Sequence, residues 1–254
     1  MYELEYVKRR KKKRRTAIIG GIGTIGVATF CIVAFLGRYV GTFTVSLEAK
    51  NVDLTLSENS SFENPSSFLR VNYLPAFQEF TYRNFSKFGG GEKLDNEETS
   101  EFYGANPDNE TLNFFKYTFF IKNVGMTPAR YNLSLMVKES VAASDGRTLD
   151  DTLRVMVYDN GESTVYAKGN LNSPAPISVS EGEATEEYPF EGYATNFASS
   201  KEIMGQSGVS LNVGEVRRYT IVTWLEGFRS SSLQTAPKGA TIKLGVEINA
   251  YENE

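Results

Sequence analysis

Histidine is absent from the 254-residue chain, and Cys31 is its one cysteine. Without an imidazole there is no Ser-His-Asp triad, no histidine general base and no zinc site of the usual nitrogen-containing kind. The cysteine count removes thiol nucleophiles and disulfides from residues 37–254. Hydrolysis by a Ser-Lys pair or by two converging carboxylates needs neither residue, yet neither arrangement has a local signature here. The chain therefore reads as non-catalytic, with no cofactor expected. Pro- or Ser-rich spacers are lacking too, so residues 37–254 read as one domain. Their 218 positions are enough to bury a core without bridges.

What is present begins with charge. Lys8, Arg9, Arg10, Lys11, Lys12, Lys13, Arg14 and Arg15 form an unbroken basic run, followed by 21 residues without a formal charge, Thr16 to Leu36. About 20 apolar residues span about 30 Å of hydrocarbon as one helix. A cleaved secretory signal has a shorter core and a small-x-small cut site, which Ala34-Phe35-Leu36-Gly37 does not offer. The expectation is a basic cytoplasmic segment (1–15), a transmembrane helix (16–36) and an extracytoplasmic domain (37–254). Carrying the cluster through lipid is costly, so these eight cations are the topology determinants of a single-pass plasma-membrane protein with its C-terminal domain outside. They also attract anionic membrane lipid. Gly20, Thr24 and Ala28 recur every four residues, a spacing that lets a second helix approach closely.

Beyond Leu36 the chain holds 19 Lys and Arg against 29 Asp and Glu, a net charge of −10. Such a surface disfavours nucleic acid, whose binding needs clustered cations. Calcium is the inorganic partner that acidic loops would suit, because hard cations take carboxylate and carbonyl oxygens. However, Asp145-Gly146-Arg147-Thr148-Leu149-Asp150-Asp151 lacks the EF-hand spacing. The absence of ectodomain bridges points to a bacterial envelope.

From residue 43 onward the dominant pattern is the period-2 alternation of half-buried strands. Phe115, Tyr117, Phe119 and Ile121 share one face. Tyr131, Leu133, Leu135 and Val137 share another across Asn123-Val124-Gly125, as a hairpin or a sheet crossing. Asn160-Gly161, between Leu153-Val155-Val157 and Val165-Ala167, predicts a two-residue hairpin turn. Ile242, Leu244, Val246 and Ile248 give a two-faced final strand, and with Trp224 they are the expected scaffold. About ten strands predict a mainly β fold, an antiparallel β-sandwich of Ig-like or jelly-roll type. The connections at 84–111 and 171–209 exceed ordinary loop length, which makes them candidate recognition surfaces. Residues 68–88 are dense in aromatics, which favours core strands, while Glu79, Arg83 and Lys87 suit a short helix.

Arg218-Tyr219-Thr220-Ile221-Val222-Thr223-Trp224-Leu225-Glu226-Gly227, followed by Gly239-Ala240-Thr241-Ile242-Lys243-Leu244-Gly245-Val246-Glu247-Ile248, resembles a strand pair of single-pass exported proteins of low-GC Gram-positive bacteria, loosely the camelysin and TasA matrix-fibre group. The resemblance implies a β-sandwich exterior, with Trp224 as a core or inter-sheet packing residue. The functional expectation is a membrane-anchored envelope protein whose sandwich acts by protein binding or self-assembly. Its rivals are an accessory structural subunit of a larger membrane complex and, third, an envelope-acting enzyme.

Overall fold

Alternating apolar residues put one face of each strand in a core, and the chain answers that requirement with two sheets. The computed structural model describes residues 39–75, 81–88, 94, 101–105, 112–169, 173–186, 188–227, 237 and 239–252. The chain divides into two compact units, Met1–Tyr39 and Val40–Glu254, and all but the first residue of the described strands belong to the second. The basic run at 8–15 and the apolar stretch at 16–36, with Gly20, Thr24 and Ala28, lie outside the described residues. Among the described residues no helix is long and apolar enough to cross a membrane.

The elements run β1 (Tyr39–Ala49), β2 (Leu54–Ser57), β3 (Phe68–Pro75), the 3-10 helix η1 (Tyr82–Phe88), β4 (Glu101–Ala105), β5 (Leu112–Asn123), β6 (Ala129–Val141), η2 (Leu149–Asp151), β7 (Leu153–Asp159), β8 (Glu162–Ala167), η3 (Glu181–Glu183), β9 (Thr195–Asn196), β10 (Glu202–Leu211), β11 (Val216–Leu225) and β12 (Thr241–Glu252). Sheet 1 has the order β10-β6-β12-β1-β3. Sheet 2 has the order β2-β5-β11-β7-β8-β9, with β4 also paired to β5. One continuous cluster, including Phe43, Val45, Tyr117, Phe119, Leu133, Leu135, Val155, Ile221, Leu244 and Val246, fills the space between them. The fold is a mainly β sandwich.

Its sheets are mixed, which corrects the antiparallel expectation: β1 runs parallel to β12, from Gly41 beside Ile242 to Ala49 beside Ala250, and β8 runs parallel to β9. Side-chain alternation has the same period in either direction, so it carries no information about strand polarity. Twelve strands form among the described residues rather than about ten. The additional ones arise inside the presumed loops: β4 lies within 84–111, while β9 and most of β10 lie within 171–209. β10 was hidden because its apolar periodicity is broken by register shifts between Glu202 and Met204 and between Gln206 and Val209. The aromatic segment divides into β3 and η1, with Phe85 buried and Phe68 exposed.

Two turns follow their sequence. Asn160 and Gly161 have φ of 50° and 93°, the pair of positive values a type I′ turn requires, and Asp159 and Glu162 close the hairpin. Asn123-Val124-Gly125 is a sheet crossing, since β5 belongs to sheet 2 and β6 to sheet 1. Asn123 braces it, donating from Nδ2 to the carbonyls of Thr127 (2.9 Å) and Leu211 (3.0 Å) and accepting from Gly125 N (2.9 Å). At that end of the sandwich a hydroxyl network joins the sheets: Tyr131 and Tyr219 share a 2.8 Å hydrogen bond, and Tyr219 donates to Gln206 Oε1 at 2.7 Å. Gln206 donates to Asp159, which also accepts from Arg217 Nε (2.8 Å) and Nη2 (2.7 Å). Burial raises both phenols, that of Tyr219 up to about 12, so both stay protonated.

Candidate functional site

In β11, Tyr219, Ile221 and Leu225 enter the inter-sheet core. Residues two apart share a face, so Thr220, Val222, Trp224 and, one step past the strand, Glu226 belong to the opposite side of sheet 2. Cross-strand register sets Phe114 of β5 on one flank of Trp224 and Arg154 of β7 on the other. A two-layer sandwich would leave this face wet. Here Lys116, Arg154, Trp224 and Glu226 are all fully buried. The cover comes from the two long connections. Phe85 of η1 meets Trp224 edge-on at 5.0 Å and Phe114 at 5.0 Å, and the Tyr82 ring lies 5.9 Å from the indole. Together with Leu94, Met156, Tyr158 and Val222 these residues make a second apolar cluster, separated from the main core by the sheet itself.

At its centre is a polar group of definite geometry. The Glu226 carboxylate accepts from Trp224 Nε1 (2.9 Å), from the backbone N–H of Tyr82 (3.1 Å) and from Ser178 Oγ (3.0 Å). Arg154 donates from Nε to the Ile177 carbonyl (3.1 Å) and from its terminal nitrogens to the carbonyls of Leu153 (3.1 Å) and Pro176 (3.0 Å). Burial pushes Glu226 above the ordinary carboxylate range, although the indole, Arg154, Ser178 and Tyr82 pull the other way. Burial likewise lowers the Arg154 guanidinium, and the Glu226 charge partly restores it. The two groups attract one another through a low-dielectric layer that also holds the buried Lys116, and the attraction offsets part of the cost of burying each.

This arrangement fixes the two connections to the sheet. A raised carboxyl beside a serine hydroxyl has no imidazole to relay a proton. The void next to Trp224 on the inner side, lined by Leu74, Leu149, Leu153, Ile242 and Leu244 among others, measures about 10 Å³. That is room for about one water and no organic substrate, and its lining is apolar.

A second surface stands at the end of the sandwich where β5 crosses to β6. Met126 is 96% exposed, Val124 55% and Val213 52%. Their two turns are held side by side, with Gly214 N donating to the Asn123 carbonyl at 2.9 Å and Asn123 N donating to the Glu215 carbonyl at 3.1 Å. β1 enters at the opposite end: its 11 residues run from Tyr39 to Ala49, and Ala49 lies at the Ala250 end of β12, where β6 begins. At about 3.3 Å per residue the two ends are about 33 Å apart.

A profile of the family described as "Domain of unknown function (DUF4436)" matches residues 107–246, more than half of the chain. The chain belongs to the DUF4436 family. No curated protein sequence matches it. Among solved structures it is similar to the protein of "AvmM Catalyzes Macrocyclization in Alchivemycin A Biosynthesis", at 10% identity and a TM-score of 0.23 over 56% of this chain and 81% of that one. It is also similar to a β-glucosidase from Kluyveromyces marxianus in complex with glucose, at 12% identity and a TM-score of 0.22 over 82% of this chain and 18% of that one. Likenesses this slight carry no argument about chemistry.

The DUF4436 span contains Arg154, Ser178, Trp224 and Glu226, while Tyr82 reaches the cluster from outside it. Of the expected scaffold residues, Ile242, Leu244, Val246 and Ile248 all point into the inter-sheet core. Trp224 is buried, as expected of a core residue, but on the outer side of sheet 2; the inter-sheet placement is corrected because its parity in β11 opposes that of Tyr219 and Ile221. The acids of 145–151 face cations: Asp145 pairs with Arg147 (2.8 Å), and Lys168 pairs with Asp150 (2.6 Å) and Asp151 (2.9 Å). No group of three or more Asp and Glu suited to a metal ion occurs among the described residues. Arg154 and Glu226 escaped the reading of the sequence. Their signal is the isolated charge in Leu153-Arg154-Val155-Met156-Val157 and the i, i+2 spacing of Trp224 and Glu226.

Proposed function

We propose that this chain is a membrane-anchored envelope protein whose sandwich works without catalysis, by binding a protein partner or assembling with one, through the end of the domain remote from the entry of β1. The anchor rests on the junction of Lys8–Arg15 with the uncharged stretch 16–36, and the camelysin and TasA resemblance supports the assembly aspect. The observation that carries the binding surface is the exposed trio Val124, Met126 and Val213 on two mutually bonded turns, since adjacent exposed apolar side chains mark contact sites more often than scattered ones do. Strand addition along β10 is the less favoured mode. Its two register shifts and Gly208, with φ of 65°, break the regular ladder a new strand would need.

The test uses the full chain with Cys31→Ser and one new cysteine, Met126→Cys or Glu3→Cys. A membrane-impermeant maleimide should label position 126 on intact cells and position 3 only after permeabilisation. The reverse pattern, or a chain that fractionates without membranes, refutes the anchored reading. A photo-crosslinker at position 126 should then trap a defined protein adduct. Equal trapping from a control position, Thr185, removes the proposed surface.

A further inference from the structure

The outer face of sheet 2 is covered by chain that the ladders do not hold. One covering segment, η1, lies between β3 and β4; the other, residues 173–186, lies between β8 and β9. Each is flanked on both sides by a strand paired into a sheet, β4 on β5 and β9 on β8 among them. Over the second cluster, two buried side chains of sheet 2 reach the backbone or hydroxyls of both segments. Glu226 accepts from Tyr82 N of the first and from Ser178 Oγ of the second, and Arg154 donates to the Pro176 and Ile177 carbonyls. Within its own connection the second segment is also bonded through Ile177 N to Gly192 O (3.0 Å) and Ala194 N to Ala175 O (2.9 Å). Segments held by side chains, here Glu226, Arg154 and the packed rings of Tyr82 and Phe85, rather than by a ladder of their own open more readily than the strands that bound them.

We infer that these two segments form a pair of straps latched at Glu226, which open as one unit while both sheets stay paired, and so uncover the apolar face made by Phe114, Met156, Val222 and Trp224. One carboxylate serves both straps, so releasing it from either weakens the hold on the other. The inner core is unaffected, because the sheet lies between the two clusters. This device is independent of the anchored-binding reading.

Hydrogen exchange by mass spectrometry on the full chain tests it. In the wild type, amides of 82–88 and 177–179 should exchange at a common rate, at least about tenfold faster than those of β6, β11 and β12. Glu226→Ala should accelerate both segments together, about 10- to 100-fold, keep both faster than the sheet amides, and raise acrylamide quenching of Trp224, the chain's one tryptophan. Ser178→Ala should move both segments in the same direction by less. The inference is overturned if the two segments exchange at different rates in the wild type, if they exchange no faster than the sheets in either protein, or if Glu226→Ala moves only one of them. Should Glu226→Ala not fold, the wild-type comparison and Ser178→Ala decide alone.

Discussion

Replacing Arg154 by Met removes one half of a buried charge pair and keeps most of the side-chain volume. Arg154 and Glu226 are both fully buried, and three carbonyl oxygens depend on the guanidinium. Removing the guanidinium orphans those three carbonyls and takes away the attraction that offsets part of the Glu226 desolvation, a combined cost of about 3–5 kcal/mol. For a domain of this size the urea dependence is about 2–3 kcal/mol per molar, so the unfolding midpoint should fall by about 1–2 M. Trp224 reports the transition directly, because its indole is bonded to Glu226. Adding Glu226→Gln should recover part of the loss: an amide oxygen accepts from the indole and Tyr82 while its nitrogen donates to Ser178, and no carboxylate is left without the Arg154 charge. The coupling between the two substitutions should be about 1–3 kcal/mol. Arg154→Met within 1 kcal/mol of wild type, or strict additivity of the pair, refutes the charge-pair argument.

Three further outcomes are expected. Since burial raises Glu226 in the folded state, its contribution is fully present below the unfolded value near 4.3 and is lost as pH rises through the folded one, so urea midpoints measured upward from about pH 4 should shift in favour of Glu226→Gln over wild type. Gly41→Ala should lower the melting temperature followed by circular dichroism by about 4–8 °C: a Cβ there would lie 1.6 Å from the Ile242 carbonyl oxygen, and moving β1 away from β12 forfeits at least two ladder bonds of about 1 kcal/mol each. Tyr219→Phe should cost about 1–3 kcal/mol in urea unfolding, because it orphans the Tyr131 hydroxyl and Gln206 between the sheets; no change in midpoint would show that water replaces the link.

Much of the fold was legible because a sandwich writes its inner faces into the chain. Ile242 to Ile248 and Phe115 to Ile121 declare a core side by alternation, and Asn160-Gly161 declares its turn through backbone conformations that few residue pairs tolerate. The outer cluster was less visible. Trp224 lies in a stretch buried on both parities, Thr220 to Leu225, and a strand buried on both faces gives period-2 reasoning nothing to choose between.

The sequence by itself determined that the chain is built of strands, that histidine chemistry and, beyond Cys31, cysteine chemistry are closed to it, and where its charge is concentrated, because these follow from composition and from spacing along one dimension. Only the tertiary structure decided that β12 inserts between β6 and β1, that the sheets are mixed, and that Glu226 gathers Tyr82, Ser178 and Trp224 from three separate parts of the chain. The physical reason is that strand polarity and the partner of a buried charge are set by contacts between residues far apart in the chain, 200 positions for Ser46 and Val246, which no local pattern contains.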